Sequence, residues 1–169
     1  MIETIGYIGF IGLCIWILLQ IFLNNLFPKV TIFDHEKGIL YVRGRFSKVL
    51  EPGQHRYFQK SSVITKVDMR PATIGLAPQE VRSNDNVPMR VQLLAKYEIV
   101  DCYLAVSKSG NYHDELYLVL QTVMQEIFLA VNSSFLKKLS VIEEKIIRAA
   151  NFRLGAIGLK VTAVSITFL

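Results

Sequence analysis

From Val87 to Ile99 every second residue is apolar, running Val87, Met89, Val91, Leu93, Ala95, Tyr97, Ile99, with Pro88, Arg90, Gln92, Lys96 and Glu98 among the residues between them. A period of two belongs to a strand with one buried face, because successive side chains point to opposite sides of a sheet. Just upstream, Ser83-Asn84-Asp85-Asn86 supplies side chains that bond their own backbone and tolerate positive φ. A strand near Gln79 to Arg82 is therefore expected to fold back on the long one as a hairpin. Pro88 suits the strand's first position, where a missing amide does little harm.

The flanking sequence extends this sheet on both sides. Val30 to Phe33 and Gly38 to Arg43 are short β runs separated by the polar turn Asp34 to Lys37, and Gly44 to Leu50 leads into the turn Glu51-Pro52-Gly53. Val63, Thr65, Val67 and Met69 alternate with Ile64, Lys66, Asp68 and Arg70, Pro71 ends or bends that run, and Ala72 to Leu76 resumes it. The middle of the chain is thus expected to be a β-meander. At Asp101 the period changes. Tyr103 to Val106 predicts a short helix broken by Ser107 to Asn111, and Leu116, Leu120, Val123, Ile127 and Val131 predict a helix over 112–131. Asn132 to Ser134 ends it, Phe135 to Leu139 predicts a single turn, and Ser140 with Glu143 fits a capping box. Ile142, Ile146, Ala149, Ala150 and Leu154 mark the next buried helix face, Gly158 a helix stop, and Val161 to Phe168 a closing strand. Strands first, then helices, then one strand give an α+β class.

Ile5 to Leu23 carries no charge and only Gln20 as a strongly polar side chain. At 1.5 Å per residue it reaches roughly 28 Å as a helix, against a hydrocarbon core of about 30 Å. A cleaved signal would need a basic start and small residues before the cut, which Met1 to Thr4 and Leu23 to Leu26 do not provide. Residues 1–27 are therefore expected to be a single-pass membrane anchor and residues 28–169 the domain it carries. Lys29, Lys37, Arg43, Arg45 and Lys48 follow the span while no Lys or Arg precedes it, which places the domain on the cytoplasmic side. Asp34, Glu36 and Glu51 are interspersed, and the formal net charge is a modest +5. No dense basic stripe with stacking aromatics suggests a nucleic-acid partner. Cys14 lies in the span and Cys102 far from it, so both are expected to be free thiols.

No HExxH, CxxC, GxSxG or GxxxxGK[ST] occurs, and His35, His55 and His113 are too dispersed for a local metal motif. Glu143 and Glu144 are neighbours on a helix and point about 100° apart, so they do not share a site. The expectation is a protein that is not an enzyme and takes no cofactor or metal.

Asp68-Met69-Arg70, Pro78-Gln79-Glu80-Val81 and Asp85-Asn86-Val87-Pro88 resemble the signature of the stomatin, slipin and prohibitin proteins, the SPFH or band 7 domain. Further matches stand in the same order: Gly38 to Arg45, Pro52-Gly53, Gln121-Thr122, Glu143-Glu144 and Gly158-Leu159-Lys160-Val161. The resemblance implies an SPFH fold, an antiparallel β-meander with packed helices, which the sequence sets behind one N-terminal transmembrane helix. It also implies an N-terminal lobe close to the lipid surface, with Phe46, Tyr57 and Phe58 membrane-proximal beside the basic Lys29, Arg43 and Arg45; taken alone, such aromatics are more often core residues. The implied function is a scaffold that associates laterally with copies of itself, organises membrane microdomains and regulates membrane proteins such as proteases or channels; the alternative is an accessory subunit or inhibitor of a membrane enzyme complex. Asp68, Arg70, Glu80, Arg82, Asp85 and Arg90 are the candidate contacts to a neighbouring copy, with pairing inside the domain as their other use. Three departures bear on assembly. Relatives usually continue into a long Ala- and Glu-rich coiled coil, whereas this sequence stops at Leu169 without heptads, either as a short member or as a piece of a longer chain. Gln125 stands where an arginine is common, and no proline follows His55 to Phe58. A lateral cluster is expected rather than a closed cage.

Overall fold

The computed structural model describes residues 12–20, 27–132 and 139–168. The chain divides into two compact units, one ending at Asp68 and the other starting at Met69. In the first, residues 12–20 are helical (α1), and Leu13, Ile15, Trp16, Leu18 and Leu19 are all exposed, so this stretch has no polar face. No helix among the described residues is long and apolar enough to cross a membrane. The expected span over Ile5 to Leu23 lies partly outside the described residues.

Two antiparallel sheets make up the rest of this unit. Strands β1 (Lys29–Ile32) and β4 (Gly53–Arg56) form a two-stranded ribbon. Strands β2 (Glu36–Val42), β3 (Arg45–Leu50) and β5 (Ser62–Asp68) form a sheet of order β3-β2-β5. The β1–β4 and β2–β5 pairings skip intervening strands, so the lobe is not a simple meander. A Cβ on Gly38 would lie 2.4 Å from Ile32 Cδ1 and 3.3 Å from Leu50 Cβ, so the absent side chain lets β1 close against β2. Lys66 holds the same ends together: its Nζ donates to Thr31 O at 2.6 Å, lies 3.3 Å from Glu36 Oε2 and sits 5.4 Å from the centre of the Phe33 ring. By sequence alone Arg43 belongs to a strand. In the structure Arg43 (φ 52°) and Gly44 (φ 76°) are a two-residue turn joining Val42 to Arg45, both left-handed, as a hairpin whose turn must match strand twist requires.

In the second unit β6 (Ala72–Arg82), β7 (Pro88–Ile99) and β8 (Leu159–Phe168) form an antiparallel sheet of order β6-β7-β8. The expected alternation holds from Val91, with Val91, Leu93, Ala95, Tyr97 and Ile99 buried, whereas Met89 is half-buried and Val87, before the strand begins, is exposed. Pro78 is accommodated in β6 because the register slips between Leu76 and Gln79, leaving its missing amide outside the ladder. The turn before β7 is the predicted one, with Asn86 at φ 60° and Ser83 bonded to Asp85 and to the Val87 amide.

Helices α2 (Cys102–Lys108), α3 (Tyr112–Leu129) and α4 (Leu139–Leu154) complete this unit. Asp101 starts α2 by accepting from the Tyr103 and Leu104 amides, and Asn111 starts α3 by accepting from His113 N–H, each using an amide that a helix leaves unpaired. Leu116, Leu120, Val123, Met124 and Phe128 of α3 and Ile142, Ile146, Ala150 and Leu154 of α4 are buried, each such side chain contributing about 1.5–3 kcal/mol when fully removed from water, alanine excepted. The last turn of α3 buries Phe128 rather than Val131, which lies beyond the helix. The expected turn from Phe135 falls largely outside the described residues.

The capping-box expectation is corrected. Ser140 lies within α4, and Glu143 Oε1 accepts from the Ile166 amide on β8 at 3.1 Å. Asn151 adds a two-way bond to Val161, accepting from its N–H at 2.7 Å and donating to its C=O at 3.0 Å. Helix α4 thus answers backbone groups of β8 that would otherwise face an open edge.

Candidate functional site

Each unit offers a surface with functional chemistry. In the first unit, residues 37–67 contain seven cations, Lys37, Arg43, Arg45, Lys48, Arg56, Lys60 and Lys66, and a single acid, Glu51. The fold gathers several of them at one end. Lys29 opens β1 opposite Arg56, and Tyr57, just past β4, donates its amide to Pro28 O at 3.4 Å. The Phe58 ring lies tilted against that of Phe27, centres 5.6 Å apart, and the Phe58 carbonyl accepts from Ser61 N–H. Ser61 O in turn accepts from the Arg43 amide at 2.7 Å, which ties the β2–β3 turn, with Arg43, Arg45 and Phe46, to the same loop. Phe27, Phe46 and Phe58 are 42%, 40% and 36% exposed. All six residues expected near the membrane therefore belong to one network of strand ends and turns. An exposed set of large apolar rings among cations suits an interface that is apolar on one side and anionic on the other.

Behind this end, Glu36 accepts from the Phe33 amide at 3.3 Å. That backbone bond, more than the partial desolvation that opposes it or the nearby Lys66, holds its carboxyl below the usual range. A depressed pKa in the fold adds stability above the unfolded value, and the gain disappears as pH falls through the folded one. Glu36→Gln is accordingly expected to lower the melting temperature at neutral pH, with the gap to wild type closing below about pH 4, the ordinary glutamate range. Thermal melts across that range check this.

In the second unit the two arms of the β6–β7 hairpin form an open depression of about 440 Å³ lined by Pro78, Glu80, Pro88, Met89 and Arg90. Glu80 and Arg90 are cross-strand neighbours, yet among the described residues neither makes an ion pair. Next to Glu80, Gln79 carries a buried Oε1 without a hydrogen-bond partner, which costs about 1–3 kcal/mol unless something answers it. The other four candidate contacts are arranged differently. Arg82 donates to Asn86 Oδ1 at 3.1 Å and Asp85 accepts from Ser83, so both serve the hairpin turn. Asp68 ends β5 opposite Glu36, and Arg70 lies in the link to β6; both are exposed and both are partnered. The prolines that line the depression are legible in sequence, but the register shift that admits Pro78 into β6 is not.

Among the described residues no group of three or more His, Cys, Asp or Glu could hold a metal. His113 Nδ1 pairs with the Tyr97 hydroxyl at 3.0 Å, and His55 Nε2 lies 2.8 Å from Glu51 O. Neither Cys14 nor Cys102 is in a disulfide.

The model of the SPFH domain / Band 7 family matches residues 30–168. An uncharacterised protein of Methanocaldococcus jannaschii is 25% identical over 154 residues, covering 89% of this chain and 77% of its own length. Stomatin-like protein 3 of Mus musculus is 28% identical over 130 residues, 69% of this chain and 45% of the mouse protein. A stomatin homolog of Pyrococcus abyssi is 27% identical over 164 residues, 93% of this chain and 58% of that protein. The chain thus spans about half the length of the stomatin-named relatives it matches.

Proposed function

Because the chain belongs to the SPFH domain / Band 7 family, we propose that it is a stomatin-like membrane scaffold: residues 1–27 anchor it, residues 28–169 form the domain, and copies associate side by side in the membrane plane. The observation that carries this reading is the basic, aromatic end of the first unit. It begins at Phe27, four residues past Leu23, where the apolar stretch from Ile5 ends. Lys29, Arg43 and Arg45 each add about 1 kcal/mol of attraction to an anionic leaflet, on the cytoplasmic side, and Phe46, Tyr57 and Phe58 enter the interface. Weak contacts between anchored domains gain from confinement in one plane, and the Glu80–Arg90 depression is the surface offered to a neighbour. Such a scaffold needs no catalytic group or cofactor and acts by holding membrane proteins, such as a protease or channel, within a cluster.

Alkaline extraction of membranes tests the anchor. The full chain is expected to stay with the bilayer, and a chain starting at residue 28 to be released. Release of the full chain would overturn the anchored reading.

A further inference from the structure

A second hollow in the first unit, about 190 Å³, lies among β2, β3, β4 and β5. Leu40 of β2 stands opposite Lys48 of β3 and opposite Ile64 of β5, so one row across the sheet places a cation beside two apolar side chains. The β4 end adds His55 and Arg56, and the buried Ser62 contributes a hydroxyl. No acidic residue lines the hollow. The nearest acid in sequence, Glu51, has its carboxylate 3.6 Å from Lys37 Nζ. Its carbonyl can only accept, so His55 Nε2, 2.8 Å away, carries the hydrogen. Among the described residues Lys48 and Arg56 make no ion pair.

Two unpaired cations and a hydroxyl call for an anion with several acceptor oxygens, and a phosphate supplies them. Leu40, Leu50 and Ile64 call for something more: an apolar wall has no use against a bare phosphate, but it suits the first methylenes of a lipid. At roughly 30 Å³ per water the volume holds about six waters, the scale of a headgroup rather than a whole lipid. Position agrees. Five residues, Asn24 to Pro28, separate Leu23 from β1, a span of at most about 18 Å, and Pro28 O already accepts from the Tyr57 amide beside the hollow.

We infer that this hollow binds the phosphate of an anionic membrane lipid, with Lys48, Arg56 and Ser62 holding the phosphate and Leu40 and Ile64 the adjoining methylenes. The inference rests on the membrane-anchored reading, and the two fail separately. A wrong anchor leaves the chain outside the bilayer; an empty hollow leaves it in the bilayer with no saturable lipid response at Ser62 and His55.

The test is nuclear magnetic resonance on the full chain in mild-detergent micelles, following the Ser62 amide and the His55 ring. Phosphatidylglycerol is expected to shift both saturably, with phosphatidylcholine and soluble glycerol 3-phosphate each requiring about tenfold more. K48Q/R56Q, at two exposed positions, is expected to weaken the phosphatidylglycerol response by about tenfold or more while melting like wild type, and K60Q to leave it unchanged. The inference is overturned by the absence of a saturable shift, by an undiminished response in K48Q/R56Q, or by phosphatidylcholine or glycerol 3-phosphate acting as strongly as phosphatidylglycerol.

Discussion

A chain carrying Phe128→Ala is expected to lose about 3–5 kcal/mol of stability. Phe128 is wholly buried at the end of α3, and its ring meets the Phe168 ring edge-on at 6.3 Å where β8 lies against β7. Removing it forfeits the transfer energy of the ring and leaves a cavity between helix and sheet that neither can close. Against a typical total of about 5–15 kcal/mol, that is roughly a fifth or more of what a domain has to spare. Urea unfolding is the measurement, with the midpoint expected to fall at an unchanged slope. Ile127→Ala, at a half-buried neighbour, is expected to cost less. Equal losses at both positions would mean that α3 faces the sheet one residue away from where the structure sets it.

The second large effect is expected at Gly158. Its φ of 71° lies in the left-handed region, and a Cβ there would sit 2.5 Å from the Asp101 carbonyl oxygen and 3.0 Å from Leu104 Cβ. Gly158 O accepts from the amides of Val100 and Asp101, at 2.8 and 3.1 Å. One residue thus joins the end of β7, the start of α2 and the entry to β8. Gly158→Ala meets both penalties, about 1–2 kcal/mol for the left-handed backbone and about 1–3 kcal/mol for the forced displacement, and is expected to destabilise by about 3 kcal/mol. The clash is with main chain, which cannot rotate away. Gly44, also left-handed at φ 76° but with open space around it, is the control: Gly44→Ala is expected to cost only the backbone share. A Gly158→Ala chain no less stable than Gly44→Ala would remove the packing argument.

These two residues mark what the sequence makes legible. Gly158 is readable as a helix stop, because glycine after a periodic run is a local signal; that it also braces Asp101 is not, since the two are far apart in the chain. The alternation from Val87 to Ile99 declares β7, and Ser83 to Asn86 declares its turn, because both are local patterns. The β1–β4 and β2–β5 pairings have no local signature: they join strands that are not neighbours in sequence. Arg43 hides its turn because arginine is seldom chosen for positive φ. Glu143 fits a capping box by spacing, but a tertiary partner, the Ile166 amide, takes its carboxylate. The same holds for the surfaces. Cations and aromatics over residues 29–58 are visible in sequence, whereas the hollow between Lys48, Arg56 and Ser62 exists only once β4 lies beside the β3-β2-β5 sheet. Of the charged residues near the hairpin, only the fold distinguishes Arg82 and Asp85, which serve the turn, from Glu80 and Arg90, which border the open depression.

Lateral self-association of an anchored domain is tested most directly by the mass of the full chain extracted in mild detergent, by light scattering with the detergent contribution subtracted. The expected result is a particle containing many copies, reduced in size by Arg90→Glu. A monomer or dimer would contradict self-assembly and assign the chain instead to a complex with a different membrane protein.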